Sequence, residues 1–189
     1  MNLDGFSMHP LTIELANALV GGRIDKITQQ SKISIIMSIR QPGKNLLLQI
    51  SINPQNPSVR LIKNSLENLP EPPTFCMVLR KKLEAGRIAA IRQHEVDRVI
   101  FIDIDTLGTG NVIETLTLVV ELVGKYSNII LVENVELDAG ATLKVYCPEQ
   151  KSWYFNASTW DNCGFTLDNV GNIVVSEAGT YTVNLYLDA

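Results

Sequence analysis

The chain has 189 residues, 46% of them hydrophobic, which is enough for one sizeable core, or one core with a small appended module. No apolar run approaches the about 18 to 20 residues that span a bilayer. The opening Met1-Asn2-Leu3-Asp4-Gly5-Phe6 has an acid where a secretory signal carries positive charge, so a cytoplasmic location is expected, with no membrane partner for residues 1–133. The formal charge of -4 conceals a division, since residues 1–133 hold 14 Lys or Arg against 13 Asp or Glu, whereas residues 134–189 hold 2 against 7. Aromatics divide too, with Phe6, Phe75, Phe101 and Tyr126 before residue 134 and eight after it, including Trp153 and Trp160.

From Pro10 to Val20, Leu11, Leu15, Ala18 and Leu19 fall on one helical face, with Pro10 suited to the first turn and Gly21-Gly22 to the stop. Arg23 to Ile27, Ile33 to Ile39 and Leu46 to Ile52 alternate β-branched or apolar residues around the turn Gln41-Pro-Gly-Lys-Asn45, predicting an antiparallel meander that continues through Val59 to Ile62. A second helix is expected over Thr74 to Ala85, with Phe75, Val78, Leu79 and Leu83 inward and Gly86 as its end. Its exposed side would carry Arg80 and Lys81, with Arg87 just beyond, a basic face able to contact RNA phosphate or simply to be solvated. Further strands are expected at Ile88 to Ile91, Val99 to Ile104, Val112 to Glu121 and Asn128 to Glu133, with a polar turn at Leu107 to Asn111.

This order predicts an α+β fold, an antiparallel sheet or sandwich with two packed helices, followed by a small all-β tail. The tail strands are expected at Leu143 to Tyr146, Ser152 to Phe155, Gly171 to Val175 and Gly179 to Leu187. The sequence shows no internal repeat.

Catalytic and metal chemistry find little support. His9 and His94 are the only histidines, and Cys147 and Cys163 lack the paired spacing of a zinc site. A disulfide between them would need an oxidising compartment, and Cys76 reads as a small core hydrophobe. Asp103 and Asp105 would share one strand face, open to a cation or merely solvated. Asn156-Ala-Ser158 is a glycosylation pattern without meaning in the cytosol. No catalytic residue, metal or cofactor is expected.

The segments Leu3-Asp-Gly-Phe6, Gly21-Gly-Arg-Ile-Asp-Lys-Ile27, Arg40-Gln-Pro-Gly-Lys44, Glu71-Pro-Pro-Thr-Phe-Cys-Met-Val-Leu-Arg80, Asp97-Arg98 and Gly124-Lys-Tyr-Ser-Asn-Ile-Ile-Leu131 form an ordered set. Together they resemble the N-terminal domain of the NFACT family over residues 1–133. Its bacterial members, the RqcH proteins, bear the older label fibronectin-binding protein A. The resemblance implies a domain related in structure to the N-terminal domain of formamidopyrimidine-type DNA glycosylases. It also implies binding of tRNA and the large ribosomal subunit in ribosome-associated quality control, where the family supports template-free alanine tailing of stalled chains. Asp97-Arg98 matches the family's Asp-Arg motif for tRNA, and Glu121 to Lys125 matches a second segment near it, so Asp97, Arg98, Glu121 and Lys125 are the expected tRNA-binding residues. A guanidinium fork can hold phosphate or a base edge, and the neighbouring carboxylate can orient it or accept from a 2′-hydroxyl.

Three departures bear on that expectation. Asn2 and Leu3 stand where glycosylases carry proline and glutamate, so base excision has no nucleophile. The helix-hairpin-helix, coiled-coil and further RNA-binding regions of the family are missing, so the expectation is binding without full elongation activity, and not an enzyme. The tail is a β-rich segment, residues 134–189, and from about residue 138 onward Trp153, Trp160, Asp168 to Val175 and Ser176 to Leu185 resemble SusE/SusF-type starch-binding modules, which raises a chimeric chain and a glycan partner as readings. Tyr126 stands where the family often has histidine. An adhesin or carbohydrate-binding module is the alternative function.

Overall fold

The structure, a computed structural model, describes residues 4–64, 69–137, 142–143, 165–167, 173–175 and 179–186. The chain divides into two compact units, one of Met1–Glu133 with Asn184–Ala189 and one of Asn134–Val183. In the second unit, β9 (Thr142–Leu143), β10 (Phe165–Leu167) and β11 (Ile173–Val175) pair antiparallel in the order β10-β11-β9. A further strand, β12, spans Gly179–Tyr186. The strand expected at 152–155, the tryptophans Trp153 and Trp160, the cysteines Cys147 and Cys163, and the glycosylation pattern at Asn156 lie outside the described residues.

In the first unit, helix α1 (Gly5–Leu19) starts earlier than its hydrophobic spacing suggested, because Asp4 caps it. The Asp4 side chain accepts from the Ser7 N–H at 2.7 Å, and the Ser7 hydroxyl and amide hold its carboxyl below the usual range. Pro10 therefore lies inside the helix, but on its exposed side, where the carbonyl it leaves unpaired can meet water. Met8, Thr12, Leu15 and Leu19 form the buried face. The meander follows as β1 (Arg23–Ser31), β2 (Ser34–Gln41), β3 (Lys44–Ser51) and β4 (Ser58–Ile62). Helix α2 (Thr74–Leu83) buries Phe75, Cys76, Leu79 and Leu83, and β5 (Arg87–Gln93), β6 (Val99–Leu107), β7 (Ile113–Glu121) and β8 (Asn128–Leu137) complete the unit. The expected α+β fold of an antiparallel sheet with two helices is therefore what forms.

Within this unit the strand order is β8-β7-β6-β5-β1-β2-β3-β4, the same four-strand meander read outward from both sides of a central junction. Each half opens with a helix, and the two junction segments pair with equivalent bonds. Ile24 N–H donates to Gly86 O at 2.8 Å and Ile88 N–H to Gly22 O at 3.0 Å, while Gly21 and Ala85 donate to Ile88 O and Ile24 O, both at 2.8 Å. Arg23 faces Arg87 at the centre, and bulges at Asp25 and Ala89 follow at matching places. The unit is thus a pseudo-two-fold repeat, which corrects the reading of no internal repeat. Identity between the halves centres on Gly-Arg-Ile-x-x-Ile, at Gly22 to Ile27 and Gly86 to Ile91, flanked by the matches Leu15 with Leu79, Leu19 with Leu83 and Gln29 with Gln93, too sparse to stand out in the sequence.

The junction dictates its residues. Gly21 has φ +80° and its counterpart Ala85 has φ +73°, so Ala85, not Gly86, takes the left-handed turn that ends α2. Gly86 serves close approach instead, since a Cβ there would sit 2.9 Å from the γ-methyls of Ile104 and Thr106. The inward faces of both halves, including Ile35, Met37 and Ile39 of β2 and Ile100, Ile102 and Ile104 of β6, join the helix residues in a single buried cluster.

Two predictions follow from this packing. Gly86→Ala should destabilise the chain by about 1–3 kcal/mol through overpacking, whereas Ala85→Gly should stabilise it by about 1 kcal/mol by relieving the left-handed alanine; urea titration reads both. Cys76 is fully buried, and burial pushes its thiol pKa up. In a Cys147→Ser, Cys163→Ser background, a thiol reagent should therefore label Cys76 only at the rate of unfolding, and prompt labelling of the native protein would contradict its placement.

Candidate nucleic-acid interface

The sequence-predicted residues Asp97, Arg98, Glu121 and Lys125 gather at one end of the β5–β8 meander. Asp97 and Arg98 end the turn between β5 and β6. Its backbone is fixed by the Asp97 N–H to His94 O bond at 2.9 Å and by the Asp97 carboxylate, which accepts from the Arg98 N–H at 2.6 Å. Glu121 lies across from Val99 at the close of β7, and Leu122 N–H donates to Arg98 O at 2.9 Å, so the next turn begins against the first. That turn is a short 3-10 segment, Gly124–Tyr126, opened by Gly124 with φ +59°. Lys125 and Tyr126 are exposed there, with the ammonium 4.9 Å from the ring centre.

Arg98 decides what this end can do. It is half-buried, and its guanidinium has no hydrogen-bond or ion-pair partner among the described residues. Other arginines are committed: Arg40 to Asp25 at 2.7 Å, Arg92 to Asp103 at 3.0 Å, Arg80 to Ile27 O at 2.7 Å and Arg87 to Gly21 O at 3.0 Å. A guanidinium held at the protein boundary without a counter-charge retains its fork for an external anion.

The other predicted contacts fare differently. Arg80 is half-buried and ties α2 to β1, so it is not on the open side of the helix, whereas Lys81 is exposed. Arg87 begins β5 and pairs with Asp105, at the far end of the strand from the Asp97 turn, about 20 Å away at the usual rise per residue. Lys81 and Arg87 are thus not brought to Asp97 and Arg98 by strand register. Asp103 is occupied by Arg92 and the Thr117 hydroxyl, and Asp105 by the Thr115 hydroxyl. Among the described residues no group of three or more metal-ligating side chains forms.

Two features were missed by sequence reasoning. The Asp97 turn is braced by α1, since Gln93 Nε2 donates to both Gly5 O and Asp97 O at 2.7 Å, and a Cβ at Gly5 would collide with the Val96 carbonyl. The signal for it, a glycine directly after a helix-capping aspartate, was visible but read only as a family mark. The other is electrostatic: from residue 26 to residue 64 the chain holds six Lys or Arg and no Asp or Glu. Counting charge over residues 1–133 as a whole hid that run.

Gly5→Ala should therefore disturb the interface from outside it. Expected are a destabilisation of about 1–3 kcal/mol and backbone amide shifts concentrated at residues 94–98, with α2 resonances unmoved; an unchanged turn would show that Gly5 is not the brace.

The model of the NFACT N-terminal and middle domains matches residues 4–147, past the boundary at 133 that the sequence suggested. The protein "Rqc2 homolog RqcH" of Bacillus subtilis (strain 168) is 38% identical over 156 residues, covering 81% of this chain and 27% of that protein. The protein of the same name from Streptococcus suis is 39% identical over 137 residues, covering 72% and 25%. The chain thus spans about a quarter of the length of these curated relatives. Among solved structures, the N-terminal domain of fibronectin-binding protein PavA from Streptococcus pneumoniae is similar at 37% identity and TM-score 0.65, covering 68% of this chain and 48% of that one. The fibrinogen binding protein from Staphylococcus aureus is similar at 35% identity and TM-score 0.62, covering 69% and 46%. With residues 4–147 matched by the family model, and relatives 37–39% identical over 70–81% of its length, the chain belongs to the NFACT family.

Proposed function

We propose that the first unit is an RNA-binding domain of a ribosome-associated quality control factor, engaging tRNA and the large ribosomal subunit through Asp97, Arg98, Glu121 and Lys125. The observation that carries the reading is the Arg98 guanidinium, without a partner among the described residues, at a braced turn next to a second turn that presents Lys125 and Tyr126. In this arrangement Arg98 and Lys125 take phosphate, Tyr126 offers a ring for stacking, and Asp97 fixes the turn while leaving carboxylate lone pairs for a ribose hydroxyl or base amine. The role is binding and not catalysis, in a cytoplasmic setting, and it serves alanine tailing of stalled chains in the relatives' full-length context. No helix among the described residues is long and apolar enough to cross a membrane.

Adhesion to a matrix protein is the second reading, favoured by the similarity to the fibronectin-binding protein PavA and the fibrinogen binding protein of Staphylococcus aureus. Exposed Phe6, Val96 and Tyr126 would supply its apolar contacts. Titrating the chain with tRNA and, separately, with fibronectin tells the readings apart. Arg98→Ala is expected to weaken tRNA binding by about 1–3 kcal/mol and to reduce the slope of log affinity against log salt by about one. Asp97→Ala, Arg98→Ala together should weaken it further. Wild-type tRNA affinity in the double variant, or fibronectin binding with no tRNA binding, would reject the RNA assignment.

A further inference from the structure

The pseudo-two-fold arrangement gives the candidate interface a counterpart in the first half. Just as Leu122 N–H donates to Arg98 O, Ile52 N–H donates to Ile33 O, both at 2.9 Å. The flanking pair Val99 with Glu121 corresponds to Ser34 with Ser51. The Gln93 amide that bonds Asp97 O corresponds to the Gln29 amide, which bonds Lys32 O at 3.2 Å. By this correspondence Lys32 takes the place of Asp97, Ile33 that of Arg98 and Ser51 that of Glu121.

At this place lies a cleft of about 550 Å³ lined by Gln30, Ser31, Ser34, Gln49, Ser51 and Asn53 around Ile33. Gln30 enters it because β1 bulges there, leaving Gln30 without a register partner between Gln29 and Ser31. Gln49 is buried, with its Oε1 accepting from Arg60 Nε at 2.9 Å. That fixes its Nε2 toward Gln30 Oε1 and Ser34 Oγ, at the long distances of 3.4 and 3.5 Å. The Gln30 Nε2 is buried and has no hydrogen-bond partner among the described residues, a state native interiors rarely tolerate.

The lining is rich in donors and acceptors but carries no charge. Lys32 and Arg60, both exposed, stand beside it, and they belong to the acid-free run from residue 26 to residue 64. An uncharged lining in which amides and hydroxyls are set among apolar carbon, Ile33 included, matches the face and edge of a planar neutral group that both donates and accepts, and flanking cations match the phosphates attached to it. The two sites also adjoin. Asn53 leads into Pro54, whose carbonyl lies 3.8 Å from the position a Cβ would take at Gly124.

We propose that this cleft takes an unpaired nucleobase of an RNA strand, with Lys32 and Arg60 on its phosphates, so that the RNA surface continues from Arg98 and Lys125 across the pseudo-two-fold axis. The proposal rests on the reading of the chain as an RNA binder. The test measures affinity of the whole chain for tRNA, for a short oligouridylate and for a blunt RNA duplex of similar length, in wild type, Gln30→Leu, Lys32→Gln and the Asp97→Ala, Arg98→Ala double variant. Gln30→Leu is expected to weaken oligouridylate binding about tenfold. Lys32→Gln, at an exposed position that folding does not need, should lower its salt slope by about one. If both variants bind oligouridylate as wild type does, the cleft assignment is overturned, even where the double variant loses tRNA. If duplex binds as tightly as the single strand, the unpaired base is overturned. If wild type binds neither tRNA nor oligouridylate at low salt, the RNA reading itself fails and the cleft assignment goes with it.

Discussion

Four backbone hydrogen bonds between Gly21 to Ile24 and Ala85 to Ile88 join the two halves of the first unit into one sheet. At a net of about 0.5–1.5 kcal/mol each, their sum is comparable to a fair share of the 5–15 kcal/mol or so that keeps a domain folded. Their larger effect is geometric. They fix where each meander leaves the centre, so that the apolar faces of β2 and β6 enter one core with α1 and α2. Every position at the junction answers to this demand, from the left-handed Gly21 and Ala85 to the absent side chains at Gly22 and Gly86.

The same junction sets the two outer ends in equivalent positions and leaves side chains to distinguish them. In the second half, the turn ends on a guanidinium and a carboxylate, and the sheet face behind it is dressed by the paired Arg92 and Asp103. In the first half the equivalent turn carries a lysine and an isoleucine above an amide-lined cleft, on a segment without carboxylates. One backbone plan thus presents a charged grip and a neutral recess side by side. The orphaned Oε1 atoms of Gln29 and Gln93, buried at matching positions, show how closely the plan is repeated beneath the divergent surface.

Much of the fold was legible because its signals are local. The strands from Val99 to Glu121 begin and end within one residue or a few of where alternation placed them, since one inward face of Ile, Leu and Val settles the register. Helix ends were less legible. Asp4 moved the start of α1 back past Pro10, and an alanine did the work expected of Gly86, because capping depends on φ and on side-chain reach that spacing does not encode. The candidate interface was legible only as a family motif: nothing about Asp97-Arg98 alone distinguishes it from a solvated turn. Its brace by Gln93 and Gly5 joins residues 88 positions apart, and its counterpart at Lys32 depends on a symmetry visible in hydrogen bonds and not in identities.

The contact between the first turn of α1 and the Val96 to Asp97 turn also governs how this protein should be handled at the bench. Anything fused ahead of Asp4 is joined one residue from Gly5, which packs on the Val96 carbonyl, so a polyhistidine leader or a fluorescent partner would bring its own imidazoles or surface charge close to the turn that ends on Arg98. Such a preparation could lose, or seem to gain, an affinity belonging to the label; equipment for purification and detection is better attached at the other terminus.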